Sequence, residues 1–170
     1  LVENISKSLP LGYTLVVKEH PWGRGNRPRW QYEHLAGFYN VVFCDAPAKE
    51  IIKRVDAVVA VSGTVAMEAL VFDKPTVLLG RNFFEFSDLI YRVPVINDLP
   101  DVLAKILVDG DYVSQPDREV RLHRFLMAYL DGLVPHFPLQ EFAGEWGRAF
   151  AAELGLEPVH RAIERKGEAA

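Results

Sequence analysis

Only one cysteine, Cys44, and two methionines occur in this 170-residue chain. One thiol cannot close an internal disulfide, and every metal site built from several cysteines is excluded with it. Cys44 ends the apolar run Val41 to Cys44, so a buried core thiol is expected. A basic surplus is also lacking. Lys and Arg number 19 against 23 Asp and Glu, a formal charge of −4, which is the wrong sign for the footprint of a nucleic-acid-binding domain. No apolar stretch approaches the ~18 residues of a membrane-spanning helix, and the first residues do not read as a secretory leader. The expectation is a soluble, cytoplasmic protein, with peripheral contact at the inner face of a membrane left open. Internal repeats and low-complexity blocks are absent. What remains is 49% hydrophobic and 25% charged residues, an ordinary globular balance in a chain long enough for one domain with a real core.

The stretch Asp56 to Gly80, DAVVAVSGTVAMEALVFDKPTVLLG, carries the most information. Five apolar residues, Ala57 to Val61, end at Ser62-Gly63-Thr64. A helix-forming segment follows at once, and Lys74-Pro75 opens a second apolar run. Strand, tight turn, helix and strand in that order place free backbone N–H groups where a buried strand meets a helix N-terminus, a site suited to phosphate.

The same alternation extends in both directions. Tyr13 to Lys18, Asn40 to Cys44, Ala57 to Val61, Thr76 to Leu79 and Val93 to Ile96 read as strands. Trp30 to Gly37, Ala48 to Val55 and Thr64 to Phe72 read as helices, and Val2 to Leu9 as the end of another. A parallel, doubly wound α/β sheet of Rossmann-like type is expected, covered on both faces. Beyond Asn97 the pattern turns helical. Asp98 to Val108 carries an amphipathic stripe with Asp98 as a candidate N-cap, and Arg118 to Leu133 and Leu139 to Leu154 follow. The expected organisation is a nucleotide-binding domain over residues 1–112, C-terminal helices packing on it over 113–156, and a charged tail over 157–170. The chain opens at Leu1 without methionine and within a helix, so a domain truncated at its N-terminus is expected.

Several residues can carry chemistry. Gly63 lets the backbone approach a bulky anion, and Ser62 or Thr64 can donate a hydroxyl; the alternative is that Ser62 only caps the helix. Glu68 lies one helical turn beyond Thr64 in an almost wholly apolar segment. Such a carboxylate needs a partner, and a ribose diol would serve; otherwise Glu68 occupies a wet stripe. Lys18-Glu19-His20-Pro21 closes the first strand at the edge where doubly wound sheets bind ligands. By alternation Lys18 and His20 share one face and Glu19 takes the other. The alternative is a surface Lys/His pair. The loop Trp22 to Arg29, with Arg24, Arg27, Arg29 and Trp30 beside it, faces a ligand or only solvent. Phe83, Phe84 and Phe86 read as packing more than as a stacking platform. His123, His136 and His160 have no spaced partner, and Asp88, Asp98 and Asp101 are too scattered for a metal.

Taken as a set, Lys18 to Pro21, Val55-Asp56, Ser62 to Leu70, Lys74-Pro75, Leu79-Gly80 and the following Phe83-Phe84 resemble the capsule polysaccharide biosynthesis proteins, including capsule Kdo transferases, over about half the chain. That resemblance implies the nucleotide-binding half of a GT-B-type glycosyltransferase, one that transfers a sugar, such as a CMP-linked acid sugar, to a surface glycan. It implies His20 as the catalytic group stabilising the departing phosphate. Lys18 adds charge there, Ser62, Gly63 and Thr64 hold the phosphate, Glu68 binds the ribose, and Asp45 to Pro47 border the base. No cofactor or metal is implied beyond the nucleotide-sugar donor. The glycan or glycolipid acceptor would be held by an N-terminal domain, which these residues do not include, and a strand central in the sheet would precede the helix at Leu1. The isolated chain is therefore expected to bind donor weakly and not to turn over. Two rivals share the architecture: a UDP-sugar 2-epimerase-like enzyme, and a non-catalytic GT-B-like binding module.

Overall fold

The computed structural model describes residues 1–20, 23–82, 85 and 88–133, with side chains through residue 127. Compact folding divides it into Leu1–Arg121 and Leu122–Ala170, and the first unit carries every described strand. Its elements are α1 (Val2–Ser8), β1 (Leu15–Val17), α2 (Arg29–Ala36), β2 (Val41–Phe43), α3 (Ala48–Ile52), β3 (Val58–Ala60), α4 (Val65–Val71), β4 (Thr76–Leu78), β5 (Ile90–Arg92) and α5 (Leu99–Leu107). The helix α6 (Arg118–Leu133) begins in it. Strands alternate with helices as far as β4, which β5 follows directly, and every described strand pair is parallel. This is the Rossmann-like α/β class expected from the sequence.

The strands form two sheets, β1-β2 and β3-β4-β5. Both pack on one apolar layer. Ile5 of α1, Val77 of β4, Val93, and Leu99, Leu103 and Ile106 of α5 are buried together, with Leu15 of β1 and Val59 of β3 against them. Since strand side chains alternate, Thr76 and Leu78, both essentially inaccessible, face the opposite side. There α4 packs on β3 and β4 with Ala66, Ala69 and Leu70 fully buried. Helices thus cover both faces.

Two polar ties fasten the β1-β2 half. Ser6 Oγ donates to Asn40 Oδ1 at 2.6 Å and Asn40 Nδ2 returns to the Ser6 carbonyl at 2.9 Å, both buried. Tyr13 Oη donates to the Leu107 carbonyl at 2.6 Å, joining the approach to β1 with the end of α5.

One strand departs from expectation. The fifth lies at Ile90–Arg92, paired with β4 in the register Thr76↔Ile90, and not at Val93 to Ile96. Pro94 has no N–H to continue a ladder, and Ile96–Asp98 winds into a 3-10 turn that leads into α5. Asp98 holds the N-cap position of α5 but makes no side-chain cap bond. The helix expected at Leu139 to Leu154, the tail, His136, His160, Pro21 and the three phenylalanines lie outside the described residues.

Candidate functional site

In a parallel sheet the carboxyl ends of the strands share one edge, and the candidate residues lie along it. Lys18 to His20 follow β1, Asp45 to Pro47 follow β2, and Ser62 to Thr64 follow β3. The structure draws them into two groups.

The first group is the turn after β3. Gly63 has φ +102, and open space where a Cβ would stand, the left-handed backbone that favours glycine. Thr64, not Ser62, occupies the N-cap of α4, in helical conformation and without a side-chain cap bond. Among the described residues no side-chain cap bond is seen at the amino end of α4. Thr64 Oγ1 turns instead to Glu68 Oε1 at 3.4 Å, so the two residues expected to share a helical face do meet. Glu68 is half-buried and Ser62 exposed. Asn82, which the sequence reading passed over, donates from Nδ2 to the Gly63 carbonyl at 3.5 Å. Its signal was the Leu79-Gly80 exit of β4. There a Cβ on Gly80 would collide with the Val61 carbonyl oxygen, so glycine lets the β4 exit press against the end of β3 and carry Asn82 to the turn.

The second group surrounds a pocket of about 210 Å³ at the ends of β1 and β2, lined by Val17, Glu19, Arg24, Tyr32, Phe43, Cys44 and Asp45. Tyr32 and Phe43 meet edge to face, centroids 5.8 Å apart. Tyr32 Oη donates to Glu19 Oε2 at 2.9 Å, and Arg27 Nε lies 3.1 Å from Glu19 Oε1. The Glu19 side chain is only 17% exposed, and these partners satisfy it. Arg24 pairs with Asp45 at the rim. Cys44 is half-buried and lines this pocket; it is not the fully buried core thiol expected from its apolar run. Of the residues picked out as a site, the pocket includes Asp45. Lys18, His20, Pro47, Ser62, Gly63, Thr64 and Glu68 do not line it. Lys18 is half-buried and His20 exposed, and the His20 carbonyl accepts from the Gly23 N–H at 2.9 Å. Pro47 is the N-cap residue of α3. Glu19, which the sequence reading set on the face opposite Lys18 and His20, is the residue just beyond this strand end that lines the pocket.

Among the described residues no group of three His, Cys, Asp or Glu side chains is placed to hold a metal ion, and no helix is long and apolar enough to cross a membrane.

A doubly wound α/β unit with polar groups and a pocket along the carboxyl edge of its strands belongs to the ligand-binding architectures of Rossmann type. The family model described as capsule polysaccharide biosynthesis protein matches residues 1–97, and the chain belongs to that family. It is also similar to the capsule polysaccharide export protein KpsS of Escherichia coli, 28% identical over 95 residues. The match covers 52% of this chain and 24% of that relative, so the chain spans about a quarter of the length of the protein it matches.

Proposed function

We propose that this chain is the donor-binding half of a nucleotide-sugar-dependent glycosyltransferase acting in capsule or surface polysaccharide biosynthesis. The observation that carries the proposal is the turn after β3, where Gly63 takes a left-handed conformation and Thr64, the N-cap of the following helix, makes no side-chain cap bond. Backbone N–H groups without side-chain acceptors, at the ligand edge of a parallel sheet, suit an anionic phosphate. In this reading Ser62, Gly63 and Thr64 hold the phosphate, and Glu68 accepts from the ribose hydroxyls, giving up the long bond to Thr64. Lys18 and His20 approach from the end of β1, and His20 donates to the phosphate oxygen as the sugar departs. The Tyr32–Phe43 pocket, with Asp45 at its rim and Pro47 beyond, receives the base. The acceptor glycan or glycolipid binds to residues outside this chain, at the inner face of the membrane.

Thermal unfolding in the presence of CMP, UDP and their sugar conjugates tests this reading. Binding at 100 times Kd stabilises by about 2.7 kcal/mol, several degrees for a unit of this size. The shift is expected with one pyrimidine nucleotide and is lost in Glu68→Ala and in His20→Ala. The name of the E. coli relative, an export protein, favours a second reading, a non-catalytic binding module. The absence of a shift with every nucleotide selects that reading.

A further inference from the structure

The turn after β3 has a freedom that its own residues do not restrain. Gly63 stands at φ +102, with open space where a Cβ would be. Glycine populates both halves of the backbone map, so it permits this conformation without enforcing it. Thr64 makes no side-chain cap bond, and its hydroxyl turns to Glu68. The peptide between Gly63 and Thr64 is held from outside the turn. Asn82 Nδ2 donates to the Gly63 carbonyl at 3.5 Å. That carbonyl can only accept, so the amide nitrogen of Asn82, and not its oxygen, faces it. The peptide is trans and planar, so its C=O and N–H point in opposite directions. A bond that draws the Gly63 carbonyl toward the exit of β4 therefore aims the Thr64 N–H away from that exit.

Asn82 is itself braced on both flanks. Two residues before it, Gly80 presses on the Val61 carbonyl at the end of β3. Three residues after it, Glu85 binds it twice. The Asn82 N–H donates to Glu85 Oε2 at 3.3 Å, and the Asn82 carbonyl accepts from the Glu85 N–H at 3.1 Å. The Glu85 side chain is only 9% exposed, and Arg92 Nε, at the end of β5, lies 3.8 Å from the same carboxylate oxygen. A carboxylate so covered needs these partners, so Asn82 and Glu85 keep one relation to each other. The backbone of Asn82 is fixed between β3 and β5, and its side chain is left to reach the turn.

We propose that Asn82 is a positioning residue: by holding the Gly63 carbonyl it sets the orientation of the Gly63–Thr64 peptide, and with it the aim of the Thr64 N–H at the donor phosphate. For its ligand the inference rests on the donor-binding reading; the orientation of the peptide does not. Asn82 does not touch the donor. It acts through the turn, and Glu85 and Arg92 act through Asn82, so the end of β5 contributes to a site built at the end of β3.

Residual dipolar coupling of the Thr64 N–H, measured together with CMP and UDP affinity, tests the proposal. Asn82→Asp keeps the shape of the side chain and removes the donor. At pH 7 its ionised carboxylate cannot donate to the Gly63 carbonyl. The Thr64 coupling is expected to change while the couplings of β3 and β4 stay as in the parent, and nucleotide affinity is expected to fall about ten-fold, the scale of one hydrogen bond. As pH falls through about 4, the ordinary aspartate value, the protonated acid donates again and the parent coupling returns. Asn82→Ala shows the same change without that return, and a residue that only packs would show neither. Glu85→Gln keeps an acceptor for the Asn82 N–H and retains the parent coupling; Glu85→Ala loses it. A Thr64 coupling unmoved in Asn82→Asp and Asn82→Ala overturns the proposal. So does a changed coupling with undiminished affinity, or a change in Asn82→Asp that acid does not reverse. If the parent chain binds neither nucleotide, the donor-binding reading fails, and the couplings alone decide whether Asn82 positions the turn. Should Asn82→Asp fail to fold at neutral pH, Asn82→Ala and the two Glu85 variants give the same readout, with parent couplings in Asn82→Ala and Glu85→Ala overturning the proposal.

Discussion

A methyl group on residue 80 would collide with the Val61 carbonyl oxygen, a backbone atom that cannot rotate away. Gly80→Ala is therefore expected to destabilise the protein by about 1–3 kcal/mol, the usual range for overpacking, read as a lower urea midpoint at unchanged slope. Gly63 presents the opposite case. Its Cβ position is open, but its φ of +102 is a conformation that side chains rarely adopt, so Gly63→Ala strains the backbone without a clash. Its cost is expected to be smaller, about 1 kcal/mol, while the nucleotide-dependent thermal shift falls away because the turn re-forms with its N–H groups redirected. Comparing the two alanine variants by denaturation and by titration separates a packing glycine from one at the proposed phosphate turn. Both glycines stand out in the sequence, at Ser-Gly-Thr and Leu-Gly. Only the geometry distinguishes their roles, because a strand exit pressing on a neighbouring strand leaves no mark on the residue type.

At the scale of elements, the segment after α5 is fastened by a polar cluster. Asp73, at φ +51 beyond α4, accepts from Tyr112 Oη at 3.0 Å and from Arg118 Nη2 at 2.7 Å and Nε at 3.0 Å. Tyr91 of β5 donates to Asp111 at 2.6 Å and accepts from Gln115 at 2.8 Å. Burial, reinforced by the charge and hydrogen bond of Asp73, raises the Tyr112 phenol above its ordinary range; burial, together with the bond to Asp111, does the same for Tyr91. With the folded pKa above the unfolded one, the folded state holds its phenolic protons longer. The contribution is complete below about pH 10, the ordinary tyrosine value, and is lost as pH rises toward the folded pKa values. Chemical denaturation between pH 8 and 12 should show stability falling above about pH 10, with a shallower fall in Tyr112→Phe and in Tyr91→Phe. Asp73→Ala, which leaves a largely buried guanidinium without its carboxylate, is expected to cost about 1–3 kcal/mol even at neutral pH. None of this clip was legible in the sequence: its bonded side chains are 20 to 45 residues apart, and nothing local marks them as partners. The strands and helices up to β4 were legible because apolar runs are bounded by Gly, Pro and polar turns. β5 was not, because Ile90-Tyr91-Arg92 sits beside the more apolar Val93 to Ile96, and the absent N–H of Pro94 outweighs hydrophobicity in deciding where a ladder can run.

For the molecule as a whole, the family motifs singled out one edge of the sheet, while the pocket at the ends of β1 and β2 had to be seen in three dimensions. Glu19 was read as taking the face opposite Lys18 and His20; its carboxylate accepts from Tyr32 and lines the pocket with Phe43 and Asp45. The same holds for the sheet. Local pattern predicted parallel strands, but only the hydrogen bonds show that they fall into two sets, joined by a shared apolar layer to which α1 contributes and by the Tyr13–Leu107 bond. Ile5 of that helix is buried against Val77 and the α5 leucines, while its neighbour Ser6 is locked to Asn40 at the start of β2. One helix turn thus holds the β1-β2 half with one residue and the β3-β4-β5 half with the next. Truncating Ile5 to alanine removes the contact with the larger half and leaves the polar tie to the smaller half intact. A cost of about 2–4 kcal/mol is expected for the cavity. Beyond that loss, α1 no longer couples the halves, and unfolding should cease to be all-or-none. Hydrogen exchange at Val17 in β1 should then collapse at lower denaturant than exchange at Val77 in β4, whereas the parent chain loses both together. Ser6→Ala attacks the tie from the other side and should likewise release β1-β2 first. Coincident loss of both reporters in the two variants would show that contacts other than α1 hold the halves together.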